Sequence, residues 1–154
     1  MMITGLFETH IQVSNLENSM KFYNALPGLE LATIEQKRRI AFYWIGKKGD
    51  AMLGLWENKG VFAQQHFAFR ASLETVLKTA VPALNRMNIE CYNFLKNGRS
   101  KPMVFAWMPA IAIYFRDPDK HELELIATLQ GEPKPEMGIV TYEEWMAARP
   151  VNHS

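Results

Sequence analysis

The sequence predicts an α+β fold: two βαβββ modules forming a curved mixed sheet, with a short C-terminal tail. Three observations predict it. Strand-like segments alternate polar and apolar residues with period two. A helical pattern follows the first strand of each half. The same order then restarts about 60 residues downstream, which marks an internal duplication whose single unit is too small to close alone.

The first module runs from about residue 4 to 57. Gly5 to Val13 is expected as a strand, with Glu8, His10 and Gln12 on one face and Phe7, Ile11 and Val13 on the other. A helix is expected from Asn15 to Leu26. Ser14 or Asn15 would cap it, Glu17 would complete a capping box with Ser14, and Pro27-Gly28 would end it. Strands follow at Leu29–Gln36, Arg39–Ile45 and Ala51–Trp56, with Lys37-Arg38-Arg39 and Lys47-Lys48 read as solvated turns.

The second module spans about 64 to 128. Gln65 to Arg70 is its first strand, placing His66, Gln64 and Arg70 opposite Phe67 and Phe69. Ser72 would cap a helix from Leu73 to Met87, which Pro82 should kink. Strands are expected at Ile89–Phe94, Met103–Trp107, Ala110–Phe115 and Glu122–Thr128. Residues 1–129 are read as one domain and 130–154 as an extension, in which Thr141 would cap a short helix carrying Trp145. His153 falls in this tail with no assigned role.

Composition narrows the function classes. The chain has 154 residues, 48% hydrophobic and 21% charged, enough for a sizeable core. Its 17 basic and 16 acidic side chains leave a net charge of +1, so neither nucleic acid nor an acidic membrane surface is an expected partner. No apolar run approaches the ~20 residues of a bilayer span, and the N-terminus lacks a signal-peptide pattern. Cys91 is the single cysteine, which excludes an internal disulfide and fits a cytoplasmic location; it reads as a small buried residue or an exposed thiol, not as a catalytic nucleophile.

Strand parity selects the chemistry-bearing residues. His10, His66 and the Glu122/Glu124 pair each lie on the polar side of a strand whose other side is apolar. Two histidines and one carboxylate form a facial ligand set that leaves coordination positions open. Glu8 shares the His10 face as a base or supporting acid. Tyr114 and Arg116 share a face opposite Ile113 and Phe115, and are the expected substrate contacts. The strand aromatics Tyr43, Trp44, Trp56 and Trp107 are expected mostly in the core.

Three stretches resemble the vicinal oxygen chelate superfamily, which includes glyoxalase I, extradiol dioxygenases, fosfomycin-inactivating thiol transferases and bleomycin-binding proteins. Val13-Ser14-Asn15-Leu16-Glu17-Asn18-Ser19-Met20-Lys21-Phe22-Tyr23 resembles its first strand-to-helix signature. His66-Phe67-Ala68-Phe69 resembles the restart of its second module. Asp117-Pro118-Asp119-Lys120-His121-Glu122-Leu123-Glu124-Leu125 resembles its final hairpin. The resemblance covers residues from about 4 to 128 and implies His10, His66 and Glu124 as metal ligands, choosing Glu124 over Glu122.

It further implies a divalent metal (Mn, Fe, Ni, Co or Zn), a small oxygen-rich or electrophilic substrate chelated through two oxygens, a thiol co-substrate in some branches, and a homodimer. The reaction classes implied are a glyoxalase-like lyase, a thiol transferase or a dioxygenase. The alternative is a metal-free bleomycin-type binding protein. Two departures stand out: Gly54 occupies the place of glyoxalase I's fourth ligand, with Glu57 as a substitute only through a bulge, and Lys120 replaces the usual turn glycine.

Overall fold

A computed structural model describes residues 1–149; His153 lies outside them. The chain divides into two compact units. One comprises Met1–Gln65 with Asp117–His121, and the other His66–Arg116 with the described residues from Glu122 onward. The architecture is α+β, with a four-stranded and a five-stranded mixed sheet.

In the first unit, β1 (Glu8–Val13), α1 (Leu16–Ala25), β2 (Leu29–Glu35), β3 (Ile40–Ile45) and β4 (Met52–Glu57) form the expected βαβββ order. The sheet runs β1-β4-β3-β2, with β1 parallel to β4 and the other pairs antiparallel. Ile11, Val13, Ile40, Tyr43, Leu53 and Leu55 are buried, and α1 packs over β2, β3 and β4. The apolar parity of β1 is therefore its packed face. Glu8, His10 and Gln12 are left on the other.

The helix cap differs from the capping-box expectation. Asn15 caps α1, its Oδ1 accepting from the Asn18 amide at 2.9 Å. Glu17 instead pairs with Arg39 at 2.6 Å, and Arg39 also binds Glu57 at 3.0 Å. Arg39 is thus a crosslink in a left-handed residue (φ 56°), not a solvated turn cation. Glu57 also accepts from the Leu16 amide at 2.9 Å, so it is committed to the fold and does not stand in for a ligand.

The 117–121 turn is tied into this unit. Asp117 accepts from the Tyr23 hydroxyl at 2.8 Å and the His121 amide at 2.9 Å. His121 is fully buried, accepting from the Gln65 amide at Nδ1 and donating from Nε2 to the Gln12 carbonyl at 2.6 Å. Lys120 has φ 69°, the left-handed conformation its turn position calls for.

In the second unit, β5 (His66–Arg70), a π-helical turn (Thr75–Thr79), α2 (Ala80–Arg86), β6 (Met103–Phe105), β7 (Ala110–Arg116), β8 (Glu122–Thr128), β9 (Ile139–Val140) and α3 (Tyr142–Ala147) appear in order. The sheet order is β5-β8-β7-β6-β9, with β5 and β8 parallel. Pro82 has no N–H and its ring crowds the carbonyl four residues back. The helix relaxes just upstream, where the Ala80 amide bonds to Thr75 O in a widened turn.

The strand expected at Ile89–Phe94 does not form. Left-handed residues at Asn88 and Lys96 fold the segment into turns, leaving one bridge from Tyr92 to Tyr114. That bridge uses the part of β7 beyond Ala110–Ala112, where β6 pairs. In the tail, Thr141 caps α3 with a full capping box, and Trp145 is buried with Val76, Val104, Ala106, Ile111 and Ala127. Trp56 and Trp107, expected in the core, are exposed; Tyr43 and Tyr114 are buried.

Candidate functional site

The chemistry-bearing residues fall into two clusters, one in each unit. The first unit holds His10 and Glu8. Parallel pairing of β1 with β4 sets His10 opposite Gly54, and antiparallel pairing sets Gly54 opposite Phe42. The imidazole leans over the glycine and meets the edge of Phe42 at 5.8 Å between centroids. A Cβ on residue 54 would sit 2.4 Å from His10 Nδ1 and 2.9 Å from Cε1. Gly54 is therefore the floor on which His10 lies.

Trp56 completes this cluster. Its indole Nε1 donates to His10 Nδ1 at 2.6 Å, and the Arg38 guanidinium lies 5.6 Å over its ring. An indole N–H can only donate, so Nδ1 is the unprotonated nitrogen and Nε2 carries the proton of the neutral ring. Glu8 Oε1 lies 3.4 Å from that Nε2.

The second unit holds His66 and Glu124. His66 Nδ1 is 3.0 Å from the Glu122 carbonyl oxygen. A carbonyl only accepts, so Nδ1–H donates; Nε2 accepts from another partner when the ring is neutral and donates to Glu124 when it is protonated. Nε2 lies 3.2 Å from Glu124 Oε2. Glu124 is 4% exposed, and its Oε1 is buried with no hydrogen-bond partner. Burial raises its carboxyl above the usual carboxylate range, with the adjacent His66 and Tyr114 acting in the opposite direction.

Around this pair stands an aromatic and charged ladder. Tyr114, level with Glu124 across β7 and β8, stacks on His66 at 5.9 Å and on Tyr92 at 5.8 Å. Burial, then the nearby Glu124 charge, pushes the Tyr114 phenol well above its ordinary range. Tyr92 donates to Glu122 Oε2 at 2.7 Å and is pushed up to about 12, mainly by burial. Arg116 lies 5.1 Å over the Tyr92 ring, and Lys96 is 3.6 Å from Glu122.

The sequence-selected residues thus divide. His66, Glu124, Tyr114 and Arg116 share one sheet face region, and Glu8 and His10 form the other cluster. Among the described residues, no group of three or more His, Cys, Asp or Glu side chains is placed to hold a metal ion. His66 and Glu124 fit such an ion: one offers a lone pair fixed by a carbonyl behind it, the other an unpartnered buried oxygen. His10 as held by Trp56 does not offer a free nitrogen. Sequence reading missed Trp56 and Tyr92 as site residues; the alternation of β4 puts Trp56 on the side of Gly54, opposite Leu53 and Leu55, and that was the available signal. Cys91 is buried, and burial pushes its thiol up to about 11, which decides for a small packed residue over an exposed thiol.

No protein-family model matches the chain, and no curated protein matches it. Solved structures do. An integron cassette protein from the mobile metagenome of the Halifax Harbour sewage outfall is 33% identical, with 81% of this chain and 99% of that one covered and a TM-score of 0.69. A glyoxalase/bleomycin resistance protein/dioxygenase from Nocardioides is 21% identical, covering 87% of this chain and 90% of that one at a TM-score of 0.62. The fosfomycin resistance protein FosX from Listeria monocytogenes, in complex with Mn(II) and a sulfate ion, is 21% identical, with 83% and 93% covered and a TM-score of 0.61. The chain therefore belongs to the family of the Halifax Harbour integron cassette protein, with the fold of the vicinal oxygen chelate superfamily.

Proposed function

We propose that this chain is a divalent-metal-dependent enzyme acting on a small oxygen-rich or electrophilic substrate, with His10, His66 and Glu124 as the metal ligands. The observation that carries the reading is the His66–Glu124 pair. A carbonyl-oriented imidazole lone pair and a buried carboxylate lie 3.2 Å apart, and Glu124 Oε1 has no partner. Two acceptors so placed are stabilised by a shared cation, and burying an unsatisfied carboxylate oxygen is otherwise costly. The FosX structure holding Mn(II) supports the same reading by likeness of fold.

A divalent ion held by His66 and Glu124 would supply Lewis-acid polarisation of substrate oxygens. The surrounding side chains supply the rest. Arg116 and Lys96 give the site positive charge for an electron-rich or anionic substrate. Tyr114, its hydroxyl kept protonated by burial and set beside Glu124, would donate to that carboxylate or to a substrate oxygen. Glu8 serves as a carboxylate base or as the partner of His10. We further propose that the chain works as a homodimer and takes a thiol as co-substrate.

The alternative is a metal-free small-molecule binding protein of the bleomycin-resistance kind. One observation favours it: both His10 nitrogens already have partners, in Trp56 and Glu8. Calorimetric titration with Mn(II) and Ni(II), on the wild type and on His66→Ala, decides between the two. Stoichiometric binding that His66→Ala loses supports the enzyme. No binding of either ion supports the binding protein. Assays with methylglyoxal plus thiol, fosfomycin plus thiol, and catechols then sort the reaction class.

A further inference from the structure

We infer that Tyr92 is a positioning residue that holds Arg116 and Glu122 apart, so that the Arg116 guanidinium is kept free for an anionic group of the substrate, a carboxylate or an oxyanion of phosphorus or sulfur. The inference rests on the reading of Arg116 as a substrate contact and on no metal. Arg116 and Glu122 lie directly opposite each other across antiparallel β7 and β8. Opposite charges so placed are about 5 Å apart at Cβ and ordinarily pair. Among the described residues, Arg116 forms no ion pair, whereas Glu122 is turned to other partners.

Tyr92 separates the two with both parts of its side chain. Its hydroxyl donates to Glu122 Oε2 at 2.7 Å, and the Arg116 guanidinium lies 5.1 Å from its ring centroid. Lys96 at 3.6 Å and His66 Nδ1 at 3.8 Å complete the surroundings of the Glu122 carboxylate. Arg116 is exposed at the end of β7, where an anion reaches it from solvent.

Tyr92 arrives on a segment that the first unit lacks. Three residues, 26–28, join α1 to β2, whereas sixteen, 87–102, join α2 to β6. Connections of that length without regular structure are uncommon in a compact domain and usually carry function. This one is fixed in place. Tyr92 exchanges two backbone hydrogen bonds of 2.9 Å with Tyr114, and the Asn93 amide donates to the Arg99 carbonyl at 3.3 Å. Tyr114 also stacks on the Tyr92 ring at 5.8 Å. The hydroxyl that holds Glu122 is therefore anchored to β7.

The test is binding of inorganic phosphate to the metal-free protein, followed at the Arg116 Nε–H resonance by nitrogen-proton NMR at fixed neutral pH and ionic strength. The wild type should show a saturable shift. Tyr92→Phe keeps the ring and both backbone bonds and removes only the hydroxyl, which frees Glu122 to pair with Arg116. An exposed ion pair corresponds to about a two- to fivefold change in an equilibrium constant, so Tyr92→Phe should raise the phosphate Kd by about that factor. In a Glu122→Gln background, where no carboxylate competes, the same substitution should leave Kd unchanged.

An unchanged Kd in Tyr92→Phe alone overturns the positioning role. So does a rise that persists undiminished in Glu122→Gln, because Tyr92 then touches the anion itself. No saturable shift in the wild type overturns the anion subsite. Each of these results leaves the metal reading standing, since Mn(II) titration of the wild type and His66→Ala decides that reading. A protein that binds no Mn(II) yet gives the expected phosphate pattern loses the metal reading and keeps this one.

Discussion

Replacing Gly54 by alanine tests whether the glycine is there to seat His10. The added Cβ would lie 2.4 Å from Nδ1, 2.9 Å from Cε1 and 3.3 Å from Cγ. Ordinary contact needs about 3.5 Å, so the whole ring must retreat by about 1 Å. A 2.6 Å hydrogen bond stretched by that amount leaves bonding range, and the Trp56 contact is lost. Overpacking costs about 1–3 kcal/mol and the lost bond about 1 kcal/mol. Gly54 does not have a positive φ, so alanine is free of backbone strain there and regains about 0.5–1 kcal/mol by stiffening the unfolded chain. The net expectation is a loss of about 2 kcal/mol, or roughly 4–8 °C in Tm for a chain of this size. Thermal melts followed by calorimetry measure it. The same substitution in His10→Ala should be neutral or stabilising, because the clash is then absent. A Gly54→Ala protein as stable as the wild type, with the Trp56 indole proton still bonded to His10, would refute the reasoning.

Four further outcomes are expected. Glu124→Gln should lower Mn(II) affinity by at least tenfold while leaving the fold intact, as judged by circular dichroism and titration calorimetry. Glu57, held down to about 2 from 4.5 chiefly by Arg39, gives stability that is full above pH 4.5 and is lost as pH falls toward 2; Glu57→Gln should therefore flatten the acid limb of a stability-versus-pH curve over that window. Trp145→Ala should cost about 3–5 kcal/mol in chemical denaturation, because Trp145 is 1% exposed within the second unit's core. Thr141→Ala removes the hydroxyl that accepts from the Glu144 amide, leaves the Glu144 carboxylate on the residue-141 amide, and should cost about 1 kcal/mol in the same assay.

Much of the fold was legible because it rests on local rules. Period-two alternation in Glu8–Val13 gave the packed and polar faces of β1 correctly, and Thr141 announced α3 three residues before Glu144. The strand expected at Ile89–Phe94 failed for a local reason too: Asn88 and Lys96 take left-handed conformations that a propensity for branched and aromatic residues does not reveal. Arg39 looked like one of three solvated cations. Its role came from Glu17 and Glu57, acidic residues 22 and 18 positions away that turn and sheet geometry bring to it.

The sequence by itself determined the element order of the first unit and which side of each strand carries His10, His66 and Glu124. These follow from alternation, which needs no knowledge of neighbours. Only the tertiary structure decided what each side chain meets. Parallel pairing put Gly54 beneath His10 and brought the Trp56 indole onto its ring. The β5–β8 and β7–β8 pairings put His66 within 3.2 Å of Glu124 and Tyr114 level with it. The physical reason is register. A side chain's face is fixed by its own strand, whereas its partners and its burial are fixed by other strands, 10 residues away for Tyr114 and Glu124 and 58 for His66 and Glu124.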